Sequence, residues 1–141
     1  MTKKRISFFE ETFTGLLIAL ACQLKDYQLC WHLNKAFDFR LLKKDDLEIV
    51  HKRKSKTSFF SYYRYENEID KWIIHVISNK HAGDFFTSEI KHADYLFFIT
   101  GEVDSEQAKD FILKLKTIPS IQLISEIDLN KLKSKANFIF D

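Results

Sequence analysis

The chain has 141 residues, of which 45% are hydrophobic and 30% charged, and a formal charge of +2. That length suits a single core, and so rich a supply of large apolar side chains excludes a chain too polar to offset its ordering entropy. Near-neutral charge gives no reason to expect nucleic acid or an anionic membrane as an obligatory partner, although residues 1–56 hold 12 Lys and Arg against 7 Asp and Glu.

Residues 1–11 are expected to form a flexible N-terminal segment of one domain spanning 1–141. Lys3, Lys4 and Arg5 ahead of Leu16 to Cys22 imitate an export signal, but Glu10 and Glu11 intervene and the apolar stretch is short. No apolar run approaches the ~20 residues of a membrane-spanning helix. Cys22 and Cys30 are the only thiols, too few for a disulfide framework, so both are expected reduced in a cytoplasmic protein without membrane contact.

Phe13 to Cys22 is continuously apolar and predicts a central strand covered on both faces. From Leu24 to Phe37, one helical stripe holds Leu29, Leu33 and Phe37, and an adjacent one holds Tyr27, Trp31 and Asn34. Leu47 to Val50 suggests a short strand and His51 to Lys56 a basic loop. Ser58 to Glu66 and Lys71 to Ser78 carry large apolar residues on both alternating faces and are joined by a connection of hairpin length. Tyr95 to Thr100 reads as a strand stopped at Gly101, and Asp104 or Ser105 can cap a helix bearing Ala108, Phe111, Ile112 and Leu115. Pro119 closes that helix; Ile121 to Ile124 predicts a last strand, and Asp128 to Ser134 a short helical turn ahead of Phe138 to Phe140. The order of elements predicts an α+β fold, an antiparallel or mixed sheet with about two main helices packed on one face.

The segment Thr87-Ser88-Glu89-Ile90-Lys91-His92-Ala93-Asp94-Tyr95 resembles the signature of the bacterial IPExxxVDY family. Glu89, Asp94 and Tyr95 stand at the motif's Glu, Asp and Tyr, while Thr87, Ser88 and Ala93 replace its Ile, Pro and Val. Leu24-Lys25-Asp26-Tyr27 with Trp31, Leu33, Asn34 and Lys35, then Asp45-Asp46-Leu47-Glu48, Ser78-Asn79-Lys80 and Asn137-Phe138-Ile139-Phe140 are similar too. The resemblance implies a small bacterial cytoplasmic domain and brings no activity, substrate or cofactor.

Three groups of residues could carry function. Asp26, Tyr27, Trp31 and Asn34 could make a stacking platform for a ligand, although a helix cap at Asp26 and packing of Tyr27 and Trp31 on the sheet is the expectation. Glu89 and Asp94 could form an acid/base pair, but anchoring of backbone amides and of the strand start before Tyr95 is expected. The five histidines have no metal-ligand spacing, and the three glycines are too scattered to cradle phosphate, so neither metal nor cofactor is expected. Lys52, Arg53, Lys54 and Lys56 beside Phe59, Tyr62 and Tyr63 could bind single-stranded nucleic acid weakly, cations on phosphates and rings on bases.

The expected function is a non-enzymatic protein-interaction module, self-associating as a homodimer through Tyr62, Tyr63 and Tyr65 of the hairpin. The alternative is an RNA- or ribosome-associated protein using loop 51–56.

Overall fold

The computed structural model describes residues 14–140, so the N-terminal segment 1–11 lies outside the described residues. Strand β1 (Gly15–Cys22) is followed by helix α1 (Asp26–Phe37), strands β2 (Leu42–His51), β3 (Lys56–Asn67) and β4 (Trp72–Ser78), the two-residue strands β5 (Lys80–His81) and β6 (Asp84–Phe85), strand β7 (Tyr95–Thr100), helix α2 (Ser105–Leu115) and strand β8 (Ile121–Ile127). Single 3₁₀ turns at Lys52–Lys54, Leu129–Lys131 and Lys135–Phe138 complete the path. Six strands form one sheet in the order β2-β3-β4-β7-β1-β8, and every neighbouring pair is antiparallel. The fold is thus α+β, and among the described residues no helix is long and apolar enough to cross a membrane.

Alternation along each strand divides the core in two. Leu16, Ile18 and Leu20 of β1 share a face with Ile74, Val76, Phe97 and Ile99, and both helices pack there through Leu29, Leu33, Phe111 and Leu115. Leu17 and Ala19 look the other way, with Phe60, Tyr62, Ile77, Leu96 and Phe98. This explains why β1 is apolar at successive positions, and why the β3–β4 hairpin carries large residues on both sides.

The second face is covered from within the chain. Phe86, Ile90, Ala93, Leu129 and Phe138 close over it, with Phe140 packed at the margin. Phe138 meets Phe86 and Phe98 edge-on at centroid distances of 5.2 and 5.3 Å. The surface expected to need a second copy of the protein is therefore already occupied, by segments whose irregular backbone gives no periodic sequence signal.

Two further expectations are corrected. Strand β2 spans ten residues rather than four; its first half is Leu-Lys-Lys-Asp-Asp, whose charges suit an exposed sheet edge and whose register shifts between Lys44 and Leu47. Trp31 does not pack on the sheet: it and Tyr27 are each 58% exposed, because α1 turns only the Leu29, Cys30 and Leu33 stripe inward.

At Gly15 the backbone has φ +117°, and a Cβ there would lie 2.1 Å from the Ile99 carbonyl oxygen of β7. Only glycine fits so close a crossing.

Candidate functional site

Helix α1 begins without a side-chain acceptor at its cap. Lys25 occupies the N-cap and its N–H donates to Gln28 Oε1 at 2.9 Å, while Asp26 is the first helical residue and accepts from the Tyr27 N–H at 2.8 Å. Asp26 is therefore not the cap; as an acid in the first turn it favours the positive end of the helix dipole. At the other end Asn34 accepts the Leu41 N–H at 2.9 Å, which holds the chain as it turns into β2 and takes Asn34 out of any ligand platform.

What remains of that platform is a ridge. Tyr27, Trp31 and Lys35 follow one another at one-turn spacing, all exposed, with Lys35 Nζ 5.0 Å from the centroid of the Trp31 ring and His32 edge-on to it. Large rings left in water on one helical stripe are unusual in a chain that buries Phe60, Phe86, Phe97 and Phe98 almost completely.

Beside the start of α1 lies a cleft of about 430 Å³, lined by Lys25, Asp26, Lys43, Asp46, Lys80 and Tyr95 among others. Its charges are largely matched. Lys43 pairs with Asp46 at 2.9 Å and Lys80 with Asp94 at 3.0 Å, while the other Asp94 oxygen accepts the Cys22 N–H at 2.8 Å. Tyr95 is buried and donates to the Leu24 carbonyl, with burial, reinforced by nearby acids, pushing its phenol well above the usual range. Asp94 and Tyr95 thus tie β7 to the β1–α1 junction.

Glu89 serves a different joint. Its carboxylate accepts the N–H of Lys133 at 2.6 Å and both the N–H and the hydroxyl of Ser134, at 2.8 and 2.7 Å. Burial pushes this carboxyl up, but the Ser134 and Lys133 hydrogen bonds outweigh it and hold the group below its ordinary range. Glu89 and Asp94 act on separate partners, so no acid/base pair forms.

The hairpin tyrosines are spent on packing. Tyr62 is buried on the second face with its hydroxyl 2.7 Å from His75 Nδ1; Tyr63 is buried on the helix face; Tyr65 is partly buried against Phe39 at 5.3 Å. Burial pushes the Tyr62 phenol up to about 12 and the His75 imidazole down to about 3. His75 Nε2 lies 3.4 Å from the Thr100 hydroxyl, so the buried imidazole has a hydroxyl beside each ring nitrogen.

The basic loop is only partly free. Arg53 and Lys54 are exposed in the turn that Lys52 begins, but Lys56 pairs with Asp84 at 2.7 Å. Ser58 donates to the same Asp84 oxygen at 2.7 Å, and His51 Nε2 lies 3.0 Å from the Ser58 hydroxyl. The trio has the residue types of a hydrolytic triad in the wrong order, since a nucleophilic serine must give its proton to the histidine. Here the proton goes to Asp84, and the Lys56 and Ser58 bonds hold that carboxyl down to about 2, too weak a base for the task. Spacing gave no sign of this cluster, because it joins β3 to the small β5–β6 hairpin.

No family model, no curated protein and no solved structure matches the chain. Among the described residues no group of three or more His, Cys, Asp or Glu could hold a metal ion.

Proposed function

We propose that the protein is a non-enzymatic, cytoplasmic interaction module of the IPExxxVDY kind that associates with a second copy of itself through helix α1. The observation that supports this is the exposed Tyr27, Trp31 and Lys35 ridge. Trp31 sits midway between the other two. An antiparallel pairing of two α1 helices about a twofold axis at Trp31 would therefore set Tyr27 of each copy against Lys35 of the other, ring against cation. Trp and Tyr are the residues that most often anchor protein interfaces, because they cover much area with few rotatable bonds. The proposed contact is therefore on α1 and not on the β3–β4 hairpin.

Sedimentation equilibrium tests it. The wild-type chain is expected to dimerise, and Trp31→Glu to shift it to monomer with its circular dichroism unchanged. A monomer at every accessible concentration overturns the proposal.

A second reading, RNA binding, draws on exposed Arg53 and Lys54 with Phe59, itself 45% exposed on β3. Each phosphate contact contributes about −0.9 to the slope of log affinity against log salt on duplex, and about −0.7 on single strands. Anisotropy of a labelled oligonucleotide should then show weak, salt-steep binding that Arg53→Ser with Lys54→Ser removes; tight binding that survives both would point to a different surface.

A further inference from the structure

Gln107, Asp110, Phe111 and Lys114 stand at i, i+3, i+4 and i+7 on α2, so one face of the helix carries all four. With Phe37 at the end of α1 and Trp72 at the start of β4 they line a small cleft of about 180 Å³. Phe111 is buried and touches both outer rings, at centroid distances of 5.6 Å to Phe37 and 5.2 Å to Trp72. Those outer rings are themselves held in place. The Trp72 indole N–H donates to the Glu102 carbonyl at 2.9 Å, and Phe37 stacks on Phe39 and Phe97 at 4.9 and 5.9 Å.

Size and charge together limit what fits. Clefts for drug-sized ligands run from about 300 Å³ upward, whereas a cavity of about 150 Å³ holds benzene, so the apolar part of an occupant is one six-membered ring. The only charged residues in the lining are Asp110 and Lys114, one acid and one base, so the cleft favours neither a simple cation nor a simple anion. Both are exposed, about one helical turn apart, and neither is in an ion pair among the described residues. Lys114 Nζ stands 5.6 Å from the centroid of the Phe37 ring, which keeps the ammonium at the mouth. The Gln107 side-chain oxygen already accepts the Asp104 N–H at 2.9 Å. A ligand that matches this rim carries one ammonium and one carboxylate close together, next to an apolar ring.

We infer that this cleft binds a free aromatic amino acid, its ring among Phe37, Trp72 and Phe111, its ammonium at Asp110 and its carboxylate at Lys114. The three rings supply edge and face contacts that stabilise beyond the area they bury. The two charge pairs at the rim stay in water and contribute modestly, so binding in the millimolar range is expected. A peptide terminus presents only one of the two charges beside its ring, which is why the free amino acid fits better. Tyr27 and Trp31 do not line the cleft, so the site is independent of self-association through the α1 ridge.

The test is a nuclear magnetic resonance titration followed at the Trp72 indole N–H and the α2 amides. L-phenylalanine is expected to move these signals saturably, whereas glycine, which has both charges and no ring, does not. N-acetylphenylalanine lacks the ammonium and phenylalaninamide lacks the carboxylate, and each should bind at least about threefold more weakly. Asp110→Asn should weaken phenylalanine binding and leave N-acetylphenylalanine no weaker. Lys114→Gln should weaken phenylalanine binding and leave phenylalaninamide no weaker. Both positions are exposed, so both variants are expected to keep the fold. Trp31→Glu should bind phenylalanine as the wild type does, which separates this site from the α1 contact. The absence of a saturable shift with phenylalanine would overturn the inference. So would equal affinities for the free and capped forms, or unchanged phenylalanine affinity in both rim variants.

Discussion

Trp31 and Phe97 are both large rings in elements that pack against one another, yet they should answer truncation very differently. Phe97 is fully buried on the helix face of the sheet, so Phe97→Ala is expected to cost about 3 to 5 kcal/mol in urea melts. Trp31→Ala exposes little that was hidden and should cost under about 1 kcal/mol, a loss confined to its contacts with Lys35 and His32. His75 makes a prediction in pH. Its imidazole titrates near 3 when folded against an ordinary value of 6.5, so the unfolded chain takes up a proton first as pH falls. The stability His75 contributes is complete above pH 6.5 and is lost progressively toward pH 3. The limiting slope is about 1.4 kcal/mol per pH unit. Glu89 and Asp84, both depressed, begin to add their own losses only from their ordinary values of 4.5 and 3.8 downward. Between pH 6.5 and 4.5 the slope therefore belongs mainly to His75, and His75→Gln should flatten it in urea melts; an unchanged slope would mean that the imidazole is hydrated in the folded protein.

Among elements, the 3₁₀ turns that close the second face depend on a few polar anchors. Glu89 holds Lys133 and Ser134, Asn137 Nδ2 donates to the Phe86 carbonyl at 2.9 Å, and Asn79 Nδ2 donates to the carbonyls of Ile90 and Ala93. Glu89→Ala removes acceptors for two backbone amides and should cost about 1 to 3 kcal/mol. Its signature is local: faster amide exchange at residues 133–138, with strands β4 and β7 protected as before. These anchors also show where sequence reasoning stops. Strands β1, β3, β4 and β7 are legible because apolar residues occupy successive or alternating positions, and α2 because Asp104 and Gln107 cap each other reciprocally. Strand β2 is half hidden by Lys43 to Asp46, since an exposed edge strand needs no apolar face. On α1 two helical stripes compete, and nothing local says that Leu29 and Leu33 win the sheet while Tyr27 and Trp31 stay in water.

At the scale of the whole molecule, both thiols lie inside the helix-side core. Burial raises Cys22 and Cys30 alike above the usual thiol range, and neither is bridged. Modification by a thiol reagent under native conditions should therefore be slow, with the two sites reacting together at a rate set by global opening. Rapid reaction at Cys30 alone would show instead that α1 detaches while the sheet stays intact.

Strand β1 lies between β7 and β8, its partners in the sheet, and both come far later in the chain, β8 by about a hundred residues. During synthesis the run Leu16 to Cys22 therefore leaves the ribosome long before either neighbour exists. Until then its unpaired amides and apolar side chains are open to other nascent chains. Pairing at such separation is also slow, because a long loop must close before any contact rewards it. The same strand that anchors the finished sheet is thus the segment on which a cell's holdase chaperones have the longest time to act.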